Sequence, residues 1–303
     1  MMGAIANLIA IVLSVFSPTS APAVYAGGPW RGTVACQVSR LPENADREET
    51  IPAPEVAAKS VAVLTDDGYV WLESKEEVRR QPIASITKLM TALVFLDHNP
   101  GWDKAYTIGR QDLVEGGKVN LFVGDTVSVK DLFNSSLVAS DNGATLALAR
   151  STGLSDEEFI AAMNGKAKEL GLMQTAFVDP IGLNDDNLST VKDVARLAKA
   201  ALDKSDIAAA VGKPSYRFAT TEGREKILES TDWLLESDGG NGLQAVGGKT
   251  GYTDKAGYCF VGRFRDMSGR SVIVAVLNSG GGKNERFVQA KELAAWALNH
   301  CQW

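Results

Sequence analysis

With 303 residues, 45% hydrophobic and 22% charged, the chain is long enough for one large domain or two small ones with a proper core. A formal net charge of -6 and the lack of any basic run argue against nucleic-acid binding. Three cysteines (Cys36, Cys259, Cys301), two histidines (His98, His300) and no Cys-x-x-Cys or Cys/His cluster argue against a zinc site and allow at most one intrachain disulfide.

The elements follow in chain order. An apolar run from Ala4 to Phe16 is too short to span a bilayer comfortably. It leads to Val24-Tyr25-Ala26-Gly27, whose small residues resemble a signal-peptidase site, although no Lys or Arg precedes the run. The expectation is export, with residues 1–26 a signal peptide cleaved after Ala26 or an uncleaved N-terminal anchor. Gly27 to Pro54 are rich in proline, charge and small residues, so 27–55 reads as a linker and 56–303 as the folded domain. Cys36 and Cys301 lie near the chain ends and are a conceivable disulfide pair; Cys259 sits in an apolar strand and reads as packing.

Lys59 to Thr65 and Tyr69 to Glu73 are short apolar runs around Asp66-Asp67-Gly68, a strong hairpin signal. The stretch Pro82 to Leu96 reads as a helix that is apolar almost all round, which places it inside a core. Ser85 opens this helix and Lys88 follows on the same face. Burial disfavours the charged form of such a lysine. A neutral amine beside a hydroxyl can take its proton and turn a weak serine into a nucleophile. The same pair is also explained by an N-cap and a lysine reaching solvent past an apolar stem.

Tyr106 to Ile108 and Asp125 to Val129 read as short segments flanking an irregular excursion that contains Glu115-Gly116-Gly117. Helices follow at Lys130 to Val138 and Ala144 to Arg150, separated by Ser140-Asp141-Asn142-Gly143. Ser155-Asp156-Glu157-Glu158 has the form of a capping box and opens a helix that Gly171 closes. A second Ser-x-x-Lys, Ser189-Thr190-Val191-Lys192, precedes an amphipathic helix from Val191 to Leu202 and reads as a cap. Strands are expected at Tyr216 to Thr220, Lys226 to Leu228, Gln244 to Lys249, Gly257 to Arg265 and Ser271 to Leu277, then a helix from Asn284 to Asn299. The fold expected is α+β: one antiparallel sheet built from both ends of the chain, flanked by helices, with a mostly helical cluster inserted after the hairpin.

Taken singly, Ser140-x-Asn142 is a polar turn and Lys249-Thr250-Gly251 a strand edge. Together with Ser85-x-x-Lys88 they form an ordered set at a helix start, an interhelical loop and a strand. On these motifs the chain resembles the low-molecular-mass penicillin-binding proteins, the serine-type D-Ala-D-Ala carboxypeptidases and related D,D-endopeptidases. The likeness spans Val56 to Trp296. It includes Arg80 to Ala92, then Met163-Asn164 and Ala167 to Leu172 with Thr175, Phe177, Pro180, Gly182 and Leu183. It also takes in Gly248 to Thr253 with Ala256 to Cys259, and Arg286. Asp141 departs from the small residue usual in that family. The layout expected is that of the shorter, single-domain members, attached to a membrane only through the N-terminus if that is uncleaved.

The resemblance implies a β-lactamase/transpeptidase-like fold and acyl transfer on peptidoglycan stem peptides ending in D-Ala-D-Ala, in the periplasm or another extracytoplasmic cell-wall space. Ser85 would attack the penultimate carbonyl, Lys88 accept its proton, and Ser140 relay a proton to the leaving amine. The implied substrate-binding set is Asn142, Lys249, Thr250, Gly251, Tyr252 and Arg286. Lys249 would supply positive potential, Thr250 the carboxylate contact, and the N–H groups of Ser85 and Tyr252 an oxyanion hole. No metal or organic cofactor is needed, and β-lactam antibiotics would acylate Ser85 as inhibitors. The alternatives are a D,D-endopeptidase cutting cross-links, a class A-like β-lactamase, or a non-catalytic penicillin-binding module. A class A enzyme needs a deacylating glutamate, whereas the corresponding text here is Asp179-Pro180-Ile181-Gly182-Leu183-Asn184.

Overall fold

The structure, a computed structural model, describes residues 53–65, 70–73, 79–117, 119–236 and 242–300. The N-terminal run, most of the linker, Cys36 and Cys301 lie outside these residues, and so do the cleavage and disulfide expectations that rest on them. In chain order the elements are β1 (Ser60–Thr65), β2 (Val70–Glu73), β3 (Gln81–Pro82), a 3-10 turn (Ala84–Ile86), α1 (Thr87–Asp97), β4 (Ala105–Thr107) and β5 (Thr126–Ser128). Next come α2 (Val129–Val138), α3 (Asn142–Ser151), α4 (Asp156–Glu169), β6 (Leu188–Ser189), α5 (Val191–Leu202) and α6 (Ser205–Val211). The chain continues through β7 (Ser215–Ala219), β8 (Glu225–Glu229), a second 3-10 turn (Trp233–Leu235), β9 (Gln244–Thr253), β10 (Gly257–Arg265), β11 (Ser271–Ser279) and α7 (Glu285–His300).

The main sheet has the order β2-β1-β11-β10-β9 and is antiparallel throughout. Its first and last strands in sequence meet directly, from Ser60 opposite Leu277 to Thr65 opposite Val272. Both runs are buried at nearly every position, so each face of the sheet must be covered. Helices α5 and α7 do this, both packing on β1, β10 and β11. Cys259 is a buried free thiol within β10, as its apolar surroundings suggest.

Helix α1 is the hub of the helical half. Thr87 through Phe95 are all buried, and the helix packs against α2, α3, α4 and α5. Phe95, Trp102 and Phe133 form an aromatic cluster with ring centroids 5.2–5.6 Å apart at its far end. The helix starts later than the apolar pattern suggests. Pro82 is paired with Leu188 in the small β3–β6 ladder, and the chain turns at Ala84, whose φ is +48°. Ser85 therefore sits in a tight 3-10 turn leading into α1 rather than within it.

One other expectation is corrected, and one helix was not expected. β7 and β8 do not join the main sheet; they form a separate two-stranded ribbon. Their alternating exposure explains this: Tyr216 and Phe218 stack at 5.6 Å on one side while the other side is exposed, a pattern that suits a ribbon laid on α2. Tyr216 pins it there through a 2.7 Å hydrogen bond to Asp131 Oδ1. Helix α6 carried no readable signal, being only 7 residues long.

The second Ser-x-x-Lys behaves as a cap, with one refinement. Thr190, not Ser189, is the capping residue; its hydroxyl accepts from Asp193 N at 3.2 Å. Thr190→Ala should lower stability by about 1 kcal/mol while leaving the rate of labelling by fluorescent penicillin unchanged. A thermal melt and a labelling time course check both halves.

Candidate active site

Three pieces of backbone converge beside the 3-10 turn. The first is the start of α1, the second the α2–α3 junction, and the third the edge strand β9. At the junction Ser140 has φ +59°, the left-handed region that costs a side-chain-bearing residue energy. With Ala84, both turns that carry a candidate hydroxyl hold a residue in this conformation or follow one that is. Strand β9 runs on to Thr253, so Lys249-Thr250-Gly251 lies inside it rather than closing it.

Lys88 is completely buried. Its Nζ donates to Ser85 Oγ at 2.8 Å, Asn142 Oδ1 at 2.7 Å and the Ile181 carbonyl at 2.8 Å. Burial lowers its pKa from 10.5 to about 7, against the opposing pull of Asp141 and Asp179. The geometry fits both charge states. As an ammonium it fills three acceptors. As an amine it keeps two donors for Asn142 Oδ1 and Ile181 O, and its lone pair faces Ser85 Oγ, which then becomes the donor. A half-buried serine is thus coupled to a base that can switch near neutral pH.

Asn142 is fixed from both ends, since its Nδ2 also donates to the Gly116 carbonyl at 3.1 Å. That carbonyl comes from the excursion between β4 and β5, which borders the site. A small cavity lined by Ile108, Leu113, Val119 and Leu121 lies beside Asn142. Asp141 has a structural task. Its Oδ1 caps α3 through Ala144 N at 2.8 Å, and its Oδ2 accepts from Asn120 N and Nδ2 at 3.0 and 2.7 Å.

Lys249 is equally buried. Its Nζ donates to Ser140 Oγ at 2.8 Å and to the Thr250 carbonyl at 3.0 Å. Burial, then the charges of Lys88 and Arg286, push its pKa well below the ordinary value; Asp232 opposes them. The Thr250 hydroxyl donates to Thr231 Oγ1 at 2.7 Å. Arg286 is buried behind β9, where it donates to the carbonyls of Gly251 (3.2 Å) and Cys259 (3.4 Å), with Tyr258 and Phe287 against its guanidinium. Tyr252 is half-exposed at the mouth and stacks on Tyr258 at 4.5 Å.

The strand can approach Ser85 only because residue 251 has no side chain. A Cβ there would lie 2.8 Å from Ile83 O, 3.1 Å from Ala84 Cβ and 3.3 Å from Ser85 N. Gly251→Ala should push β9 off the turn, destabilise by roughly 1–3 kcal/mol and slow penicillin labelling more than it lowers the melting temperature would suggest. Melts paired with labelling rates test this; an alanine variant that labels at the wild-type rate would contradict it.

The loop Asp179–Asn184 bears on the β-lactamase alternative. Asp179 spends its carboxylate on the backbone N–H groups of Ile181 (2.7 Å), Gly182 (2.5 Å) and Asn184 (2.6 Å). It staples the loop that presents the Ile181 carbonyl to Lys88.

Several contributors left no mark that motif reading would find. The carbonyls of Ile181 and Gly116 have no side-chain signature. Thr231 and Asp232 do carry one: a small polar run before Trp233-Leu234-Leu235 has the form of a cap, and Asp232 Oδ1 does accept from Leu234 N at 3.1 Å.

Solved structures share this fold. A D-alanyl-D-alanine carboxypeptidase from Mycobacterium tuberculosis aligns with a TM-score of 0.74 at 29% identity, covering 82% of this chain and 94% of that one. A penicillin-binding protein of Listeria monocytogenes in its ampicillin-bound form aligns at 0.69 and 33% identity, covering 82% and 100%. The fold is that of the penicillin-binding D,D-peptidases. Among curated proteins, the D-alanyl-D-alanine endopeptidase of Haemophilus influenzae is 34% identical over 238 residues, 75% of this chain and 79% of that protein. Residues 47–281 match the D-alanyl-D-alanine carboxypeptidase family, and the chain belongs to it.

Proposed function

We propose that the protein is a serine-type D-Ala-D-Ala carboxypeptidase acting on peptidoglycan stem peptides through an acyl-enzyme on Ser85. The observation that carries this reading is the 2.8 Å contact between Ser85 Oγ and a fully buried Lys88 amine whose pKa lies near 7. Ser85 Oγ attacks the penultimate carbonyl as its proton passes to Lys88. Ser140, held by Lys249, delivers a proton to the amine of the departing D-Ala. Water then cleaves the Ser85 ester and releases the shortened peptide. The N–H groups of Ser85 and Tyr252 receive the oxyanion, and Asn142 holds the substrate amide. Lys249 and Thr250 take the terminal carboxylate, and Arg286 acts from behind by fixing the Gly251 carbonyl and adding positive potential. β-Lactams would stop at the ester on Ser85.

Membership of a cell-wall peptidase family implies extracytoplasmic action. We assign residues 1–26 to a signal peptide or anchor, 27–55 to a linker and 56–303 to the peptidase domain. Among the described residues no helix is long and apolar enough to cross a membrane.

A second reading, cleavage of cross-links, is favoured by the name of the Haemophilus influenzae relative. Digestion of purified sacculi with separation of the muropeptides tests both. Pentapeptides converted to tetrapeptides with dimers intact support the carboxypeptidase; monomers released from dimers support the endopeptidase. No change in either pool refutes the D,D-peptidase assignment.

A further inference from the structure

Asp232 is a buried titratable group beside the site that the mechanism above leaves unused. It is 2% exposed and follows Thr231, the residue that takes the Thr250 hydroxyl bond. One carboxylate oxygen caps the 3-10 turn at Leu234; the other, Oδ2, is buried with no hydrogen-bond partner among the described residues. An unpartnered buried carboxylate oxygen is costly unless a cation compensates it. The charged groups acting on it are Lys249 from β9 and Arg286 from α7. Those acting on Lys249 are Lys88, Arg286 and Asp232. Arg286 in turn faces Tyr258 and Cys259 of β10. Asp232 is thus the only negative charge among the groups acting on Lys249; the other two are positive.

We propose that Asp232 is a positioning residue for the carboxylate-binding end of the site: a buried counter-charge that keeps the Lys249 ammonium protonated and, through Thr231, backs the Thr250 hydroxyl. This rests on the acyl-transfer reading given above. Burial raises the Asp232 pKa to about 6, so above that pH the carboxylate is ionised and available to Lys249. Removing it leaves only the positive charges of Lys88 and Arg286 acting on Lys249, and its proton is lost at lower pH. The substrate carboxylate then meets a neutral amine.

The test is the pH dependence of D-Ala release from a peptide ending in D-Ala-D-Ala, measured from pH 6 to 10 with wild type, D232N, D232S and D232E. In D232N and D232S the alkaline limb of kcat/KM should move down by about one pH unit or more. At pH 8–9 KM should rise about tenfold while kcat changes little. D232E keeps the charge and should restore the limb. D232N should melt no lower than wild type at pH 8, because an acid whose folded pKa is raised destabilises the fold once ionised. D232S carries the same kinetic expectation, so failure of one variant to fold leaves the test standing. Alkaline limbs that superimpose on wild type, or a uniform fall in kcat at every pH, overturn the proposal. Absence of both D-Ala release and penicillin labelling in wild type would instead refute the underlying enzyme assignment.

Discussion

Ser85→Ala protein should fold normally yet take up no fluorescent penicillin and release no D-Ala, a loss on the order of 10^5–10^6 in turnover for a residue acting as part of a nucleophile–base unit. The fold should survive because the Ser85 hydroxyl, in a half-buried 3-10 turn, has Lys88 Nζ as its hydrogen-bond partner. Deleting one oxygen there leaves the Lys88 bonds to Asn142 and Ile181 in place. Gel fluorescence and the intact mass after penicillin treatment give the readout. A variant that still gains the mass of the drug would mean that another group is the nucleophile.

Lys88→Arg should lose about 10^2–10^4 in acylation rate, because a guanidinium cannot give up its proton at working pH and cannot serve as a base. The pH profile is the sharper readout. With its pKa near 7, wild-type Lys88 sheds its proton as pH rises, so on the proposed acyl-transfer reading kcat/KM should climb through pH 7; in the arginine variant it should stay low and flat across that range. The same shift has a stability consequence. Unfolded, this lysine holds its proton up to about pH 10.5; folded, it releases it near 7. Between these values the unfolded state binds more protons, so stability rises with pH. The penalty, roughly 5 kcal/mol as an upper bound, is fully present below pH 7. In Lys88→Met the climb in urea midpoint from pH 7 to 10 should be shallower. It should not vanish, since Lys249 is shifted in the same direction.

Local patterns carried much of this structure. The antiparallel pairing of β1 with β2, the all-round apolar α1 and the Ser155 capping box each depend on residues a few positions apart, and each was visible for that reason. The three motifs were legible as a set because each marks a backbone setting as well as a side chain. Their meeting, however, is long-range: Lys88 touches Asn142, and Lys249 touches Ser140, only after the sheet and helices have closed. The same limit hid the ribbon β7–β8, whose strand character was readable while its partner was not. Where Ser85 lies in a turn rather than a helix, the apolar pattern overran the boundary because Ile83 and Ala84 are buried for a different reason, beneath β9.

The pairing of β1 with β11 also dictates when the site can come into being. Ser60 waits for Leu277, and nearly the whole domain must emerge before that ladder forms. Contacts of such wide sequence separation are slow to make. A nascent or partly translocated chain therefore holds its serine and lysine without the scaffold that couples them, and acylating power should arrive late and all at once with the last strand.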